Sequence, residues 1–198
     1  PKLLIMIKKL NIVVLLIAVF LIGNLYAKSD KILLKGECNS DNILLLTSFL
    51  NDRSNITLSI KNSMDGDYDF NNHAIIFLCS NEYLKLSELE IISLQKNILN
   101  GSLLIIDNFN SDYTFSIFLK KMLPEYSYSQ YPLTVVAKDN PYKINFGNID
   151  LNTRQIFIGE KLRILAIQDK SLLGEMKNEN LDYTKFLATV VFNYLVGH

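Results

Sequence analysis

The alternation of strand-length apolar runs with helix-like segments is the feature that most constrains this chain. The run "HAIIFLC" covers residues 73–79, a segment of helical period follows it, and "SLLIID" at 102–107 is again apolar almost throughout. Strands buried on both faces lose their period-two pattern, and helices between such strands allow parallel pairing. The sequence predicts an α/β fold, a three-layer sandwich with helices on both faces of a mostly parallel sheet.

The segment between the two runs carries its own helix signals. Ser87 and Glu90 have the spacing of a capping box, and Gly101 follows the last periodic position. Further helices are predicted in "DNILLLTSFLND", with Ser40 or Asp41 as the cap, in "DYTFSIFLKKML" and in "YTKFLATVVFNYLVGH". Further strands are predicted in "KILL", "NITLSI", "PLTVVA", "RQIFI" and "KLRILAIQ", and the polar stretch 169–180 is predicted as a loop.

The first 27 residues have the order of a secretory signal peptide. Met6 opens a basic head, an apolar stretch follows from Ile12 to Ile22, and Ala27 is a small residue at the predicted cut. The apolar stretch is about half of the ~20 residues that a membrane span needs. We expect a periplasmic or secreted single domain over residues 28–198; the alternative, suggested by the large Leu25, is an uncleaved N-terminal membrane anchor.

The charge balance argues against nucleic acid as a partner. Three of the 20 basic residues lie in the first 27 positions, which contain no acid, so 17 basic residues remain against 20 acidic ones. Nucleic-acid binding needs clustered Lys and Arg facing phosphates. We therefore expect a mildly acidic mature domain that contacts a membrane only through an uncleaved N-terminal segment.

Cys38 and Cys79 are the only cysteines. An exported chain with two cysteines suggests a disulfide, although two separate buried thiols remain the alternative. Cys79 ends a strand, where hydrolases can hold a nucleophile, so it is also a weak catalytic candidate. His73 begins the same strand and His198 is the last residue, so neither is a well-placed base, and no Gly flanks Cys79.

Metal and cofactor sites are not predicted. The two His residues lie far apart, no Cys or His pair has ligand spacing, and the glycines lack the spacing of a phosphate-binding loop. The stretch "NILNGSLLIIDNFNSDY" instead points to a binding edge, because its apolar run ends in Asp107 and Asn108. In open α/β sheets ligands bind outside the carboxyl ends of the strands. An Asp in this position also often satisfies loop N–H groups or caps a helix.

Several stretches together resemble the bacterial domain of unknown function 4159 family, in the same order from about residue 39 to residue 198. They are "HAIIFLCSNEYLKLSELEIISLQKNILNGSLLIIDNFN", "FLKKMLPEYSYSQYPLTVVAKDNPYKINF", "KLRILAIQDKSLLG" and "FLATVVFNYLVGH". The resemblance implies a flavodoxin-like sandwich of the class I glutamine amidotransferase type, in a bacterial envelope protein of unestablished activity.

Carried over by residue, Asp107 matches the first of the family's paired acids, and Asn108 replaces the second. Ser80 and Asn81 lie where the family has a Gly-His pair, and Asn140 stands in place of a His before the retained Pro141. These replacements remove groups that move protons near neutral pH. Asn148 and Asp169 are weaker candidates.

The resulting hypothesis is a non-catalytic domain that uses no cofactor and binds a small ligand or an envelope protein at the loops after Phe77, Ile106 and Ala166. A hydrolase or transferase related to glutamine amidotransferases, with Cys79 as nucleophile, is the first alternative. A structural interaction protein of the envelope, working through an exposed apolar patch, is the second.

Overall fold

The computed structural model describes residues 31–54, 58–63, 70–80, 82–123, 134–135, 151–158, 161–168, 171–176 and 181–196. Its strands are β1 Lys31–Lys35, β2 Ser59–Ser63, β3 Ile75–Cys79, β4 Leu103–Phe109, β5 Thr134–Val135, β6 Asn152–Ile158 and β7 Lys161–Gln168. Its α-helices are α1 Ser40–Ser54, α2 Glu88–Leu99, α3 Asp112–Met122, α4 Leu172–Glu175 and α5 Leu181–Val196. A 3₁₀ turn at Glu82–Leu84 precedes α2.

The strands form one sheet in the order β2-β1-β3-β4-β7-β6-β5. Neighbours from β2 to β7 pair in parallel, whereas β6 runs antiparallel to β7 and β5 antiparallel to β6. The predicted α/β class with a mostly parallel sheet is therefore confirmed. The helix α1 lies between β1 and β2, and α2 lies between β3 and β4, as the parallel pairing of strands that follow one another in the chain requires.

Two apolar clusters, one on each face of the sheet, form the core. On one face, α1 and α5 pack against alternate residues of β1, β3 and β4, such as Leu34 and Ile105. On the other face, α2 and α3 cover the intervening residues, such as Leu33 and Ile106. Alternation along each strand distributes its apolar side chains to both clusters, which explains the continuous apolar runs.

The predicted capping box of α2 is confirmed. The Ser87 N–H donates to Glu90 Oε2 at 2.8 Å, and the Glu90 N–H donates to Ser87 Oγ at 3.4 Å. After the helix, Gly101 has a φ of +112°, a conformation that glycine adopts without steric cost. These signals set both ends of α2 from local sequence alone.

Three expectations about element ends are wrong. The strand predicted to end at Asp107 continues to Phe109, and a helix, α4, lies within the stretch 169–180 that was predicted as a loop. Ser40 is already helical in α1, where the Asn39 side chain accepts the Asn42 N–H at 3.2 Å and so occupies the capping role. Tertiary contacts between Asp107 and the start of α4 decide the first two cases.

Candidate functional site

The parallel strands β1, β3, β4 and β7 end along one side of the sheet, here called the carboxyl edge. The strand order reverses at β1, because β2 pairs on one side of it and β3 on the other. In open α/β sheets, ligands bind outside the carboxyl ends of the strands at such a reversal. The residues that follow β1, β3 and β4 therefore form the candidate site.

Asp107 lies at this edge, but its carboxylate already has three donors within the protein. Its side chain accepts the Ser171 hydroxyl at 2.6 Å, the Leu172 N–H at 2.5 Å and the Leu173 N–H at 3.3 Å. Asp107 is only 2% exposed. These bonds attach β4 to the start of α4, so Asp107 supports the loop after β7, and a ligand would have to compete with all three donors.

The environment of Asp107 moves its pKa in two opposing ways. Burial raises the pKa above the ordinary value of 3.8, because a buried carboxylate loses its hydration. The bonds from Ser171, Leu172 and Leu173 stabilise the charged form and lower the pKa, but the net direction is upward. Asp107 is therefore easier to protonate in the folded chain than in the unfolded one.

Asn108 and Ser80 are two polar residues at this edge whose side chains stay available within the described ranges. Cys79 and Asp107 pair in register, so Ser80 and Asn108 are the next residues on the two neighbouring strands. Both have positive φ angles, +54° for Ser80 and +68° for Asn108. Ser80 is exposed and Asn108 half-buried, and neither side chain hydrogen-bonds within the part of the chain that the structure describes.

The conformation of Asn108 explains why the apolar run of β4 gives way to an acid and an amide. The pairing of β4 with β7 shifts register between Ile106 and Phe109, which marks a β-bulge. A positive φ costs roughly 1–2 kcal/mol for most residues, and Asn tolerates it better than others. The sequence switch from apolar to polar thus reflects a bulge and a loop anchor, and the buried strand resumes at Phe109.

The two cysteines join the loops after β1 and β3. Cys38 and Cys79 form a disulfide with their Cα atoms 5.2 Å apart, inside the ~7 Å limit for such a bridge. The structure thus has the bridge and not two separate buried thiols. The Cys79 sulfur is not a free nucleophile while this bond is intact. The bridge fixes the two loops on either side of the strand-order reversal.

A buried ion pair lies near the carboxyl edge, on the face of the sheet that α2 covers. Lys35 Nζ is 2.7 Å from Glu90 Oε1, and both side chains are less than 10% exposed. Burial raises the pKa of Glu90, but the bonds with Lys35 and Ser87 outweigh it and hold that pKa below its ordinary value. Sequence reasoning found Glu90 only as a capping residue and missed Lys35. The position of Lys35 in "KILLK" was the available signal. Side chains along a strand alternate between the two faces of the sheet, so Lys35 lies on the same face as Leu33, beneath α2.

Gly36 allows the close packing of the loops beside the bridge. Its φ is +92°, and a Cβ added there would collide with Glu82 Cγ and lie 2.6 Å from the Cys79 carbonyl oxygen. Glu82 is itself buried, and it pairs with the exposed Lys85 at 2.6 Å. Residues with positive φ thus lie at the ends of three neighbouring strands: Gly36 just after β1, Ser80 just after β3 and Asn108 one residue before the end of β4.

The remaining predicted site residues, Asn81 and Asn140, lie outside the described residues, as do the weaker candidates Asn148 and Asp169. The predicted signal peptide over residues 1–27 lies outside them too. Within the described ranges, no three His, Cys, Asp or Glu side chains are grouped so as to hold a metal ion. None of the helices in those ranges is long and apolar enough to cross a bilayer.

Comparison of this chain with protein-family models, with curated proteins and with solved structures finds no match.

Proposed function

We propose that this protein is an exported α/β domain that binds a small polar ligand, or a polar group of an envelope protein, without transforming it. The binding groups are Ser80 and Asn108 at the carboxyl edge. The paired positive φ angles of these neighbouring residues are the observation that carries the proposal. Strained backbone of this kind persists where the surrounding structure imposes it, and it concentrates at ligand sites.

The side chains of Ser80 and Asn108 suit recognition more than catalysis. Together they offer a hydroxyl and an amide, which donate and accept hydrogen bonds but do not titrate near neutral pH. Asp107 and Cys79, the two groups with more reactive chemistry, are already bonded to Ser171 and Cys38. A hydrolase that uses Cys79 would first have to reduce the bridge and then recruit a base.

Export of the chain is part of the proposal. The disulfide supports it, because disulfides persist in oxidising compartments and are rare in reducing ones. The order of charges and apolar residues before Ala27 supports it independently. Detection of the mature chain, cut after Ala27, in a periplasmic or culture fraction by intact mass would test this element.

We further propose that the parallel part of the sheet is flavodoxin-like. The order β2-β1-β3-β4-β7 has the flavodoxin-like arrangement if β5 and β6 are taken as an insertion before the last parallel strand. This order places the strand reversal, and hence the expected ligand crevice, beside the Cys38–Cys79 bridge. The resemblance to the domain of unknown function 4159 family and to class I glutamine amidotransferases stays a prediction.

The test is a thermal-unfolding survey of the purified protein against amino acids, dipeptides, sugars and nucleotides, each at about 1 mM. A ligand with a dissociation constant a hundred times below its concentration stabilises the folded form by about 2.7 kcal/mol. For a domain of this size that raises the melting temperature by roughly 5–10 °C. We expect at least one class to do so.

The variants Asn108→Gly and Ser80→Gly remove the side chains while tolerating the positive φ angles. We expect either variant to fold and to lose most of the ligand-induced shift. Asn72→Gly is the matched control, because Asn72 is an exposed Asn with a φ of +63° before β3, at the opposite edge of the sheet. The proposal fails if no class shifts the wild-type protein, or if the shift survives in both carboxyl-edge variants.

A further inference from the structure

The outer surface of the α2–α3 layer carries large apolar side chains that the fold does not bury. Leu89 and Ile92 of α2 are 61% and 59% exposed, and Tyr113 of α3 is 74% exposed. Leu99 and Ile117 are also exposed. We call these five residues the α2–α3 outer face. Single exposed apolar residues are ordinary on a protein surface, but a contiguous patch marks an interaction site.

Helical geometry places these five residues on one surface. The inward side of α2 carries Leu94 and Ile98, and that of α3 carries Phe115 and Leu119, all buried in the same core cluster. Ile92 and Leu99 lie about half a turn from the buried side of α2, as Tyr113 and Ile117 do on α3. The two helices pack against each other, so their outward sides form one continuous surface.

Charge is distributed unevenly along this surface. Both helices begin at the carboxyl edge and run in the same direction, because each connects a parallel strand to the next. Glu88 is exposed at the starting end, where Lys85 is neutralised by Glu82 and Asp112 by Arg154. At the finishing end, three exposed lysines have no ion pair within the described ranges: Lys96, Lys120 and Lys121.

We propose that the α2–α3 outer face binds a second copy of this chain in a two-fold symmetric dimer. A two-fold axis in the plane of the interface, perpendicular to the helix axes and passing near Ile92, sets each α2 antiparallel to α2 of the second copy and each α3 antiparallel to α3 of the second copy. The apolar residues then cover one another, and Glu88 meets Lys96 of the second copy, because both residues lie four positions from Ile92 on α2. A two-fold interface pairs one patch with itself, so a patch that is acidic at one end and basic at the other is complementary to itself in this orientation.

The size of the patch sets the expected strength of the dimer. Helices of 12 and 11 residues are about 18 and 16 Å long, and side by side they span roughly 20 Å. A face of this size belongs to the small class of interfaces, which form weak or transient complexes. We expect a dissociation constant on the order of 10 μM, which rises with ionic strength because salt screens the attraction between Glu88 and Lys96.

Sedimentation velocity of the purified protein from about 1 to 200 μM tests the proposal. We expect the wild-type protein to pass from monomer to dimer in this range, and Ile92→Asp to raise the dissociation constant by at least about tenfold. Leu44→Asp is the matched control, because Leu44 is 56% exposed at the fifth position of α1, on the other face of the sheet. It should leave the dimer intact.

A charge exchange tests the antiparallel orientation. Glu88→Lys should weaken the dimer, and adding Lys96→Glu to it should restore the dimer, because the opposing charges are then exchanged on both copies. The proposal is overturned if the wild-type protein is monomeric at 200 μM, if Leu44→Asp and Ile92→Asp act equally, or if the exchange fails to restore association. Binding of a monomer to vesicles of anionic phosphatidylglycerol, lost in Ile92→Asp, would overturn it in favour of a membrane surface.

Discussion

Lys35, Glu90 and Asp107 are charged residues that the fold buries at the carboxyl edge. Burying an unpaired charge is expensive, so the contacts of these groups decide whether they support the fold. Lys35 and Glu90 neutralise each other, whereas Asp107 relies on hydrogen bonds from Ser171 and two backbone amides. The two arrangements respond differently to substitution and to pH.

Replacing one member of the Lys35–Glu90 pair should lower the free energy of unfolding by more than replacing both members. Glu90→Gln leaves the Lys35 ammonium buried without a counter-charge, which typically costs about 3–5 kcal/mol of unfolding free energy. The double variant Lys35→Met with Glu90→Gln should be less destabilised than Glu90→Gln alone. Urea denaturation at pH 7 measures both. Asp112→Asn, which breaks the exposed pair with Arg154, is the control and should cost less than about 1 kcal/mol.

The raised pKa of Asp107 makes its contribution to stability depend on pH. The pKa of Asp107 is lower in the unfolded chain than in the folded chain, so as the pH rises above 3.8 the unfolded chain loses the proton first. This difference in protonation favours unfolding until the pH has passed the pKa of the folded chain. The stability of the wild-type protein relative to Asp107→Asn should therefore decrease between pH 3 and pH 7. Urea unfolding at several pH values measures this difference. If this stability difference increased over the same pH range, the three hydrogen bonds would lower the pKa of Asp107 by more than burial raises it.

At the scale of the elements, the two helices on the α2–α3 side begin in different ways. Ser87 caps α2 through a complete capping box, whereas Ser111 at the start of α3 makes no side-chain capping bond. Both serines precede helices of similar length, packed against the same core cluster. The pair thus allows the capping contribution to be separated from the effect of replacing a serine.

Ser87→Ala should lower the free energy of unfolding by about 0.5–2 kcal/mol, because it leaves the Glu90 N–H without its side-chain acceptor. Ser111→Ala should change it by less than about 0.5 kcal/mol, since no capping bond is lost. Thermal or urea unfolding of the two variants gives both values. Equal losses would contradict the different roles that the structure gives the two residues.

At the scale of the whole molecule, a few long-range contacts join parts of the chain that local sequence cannot connect. The bridge between Cys38 and Cys79 closes a separation of 41 residues. At the opposite edge of the sheet, the Gly101 carbonyl accepts bonds from Arg163 of β7 and Tyr194 of α5. These contacts couple the helices on the two faces through the edges of the sheet.

Loss of the disulfide should destabilise the folded protein substantially. Closing a loop of this length removes chain entropy from the unfolded state equivalent to about 4 kcal/mol in the standard loop-closure treatment. For a domain of this size, the double variant Cys38→Ala with Cys79→Ala should melt roughly 8–16 °C lower. Calorimetry measures the shift, and a reductant should lower the melting temperature of the wild-type protein but not that of the variant. A reductant-independent wild-type melting temperature would contradict an intact bridge.

Local sequence patterns predict the class of fold and most of its elements. Periodicity and capping act within a few residues, so the capping box of Ser87 and Glu90 and the apolar runs of β3 and β4 were readable without tertiary information. The same reasoning selected Asp107 and Asn108 as a notable pair at the end of an apolar run.

The roles of these residues depend on contacts between segments that are distant in the chain. Asp107 binds Ser171, which lies 64 residues away in sequence. Asn108 lies in a β-bulge, although the local pattern predicts that the strand ends there. The partner of Glu90 is Lys35, 55 positions earlier, and no local period relates the two residues. Hydrogen bonds and ion pairs between distant segments depend on strand order and register, which the chain acquires only when the whole sheet assembles.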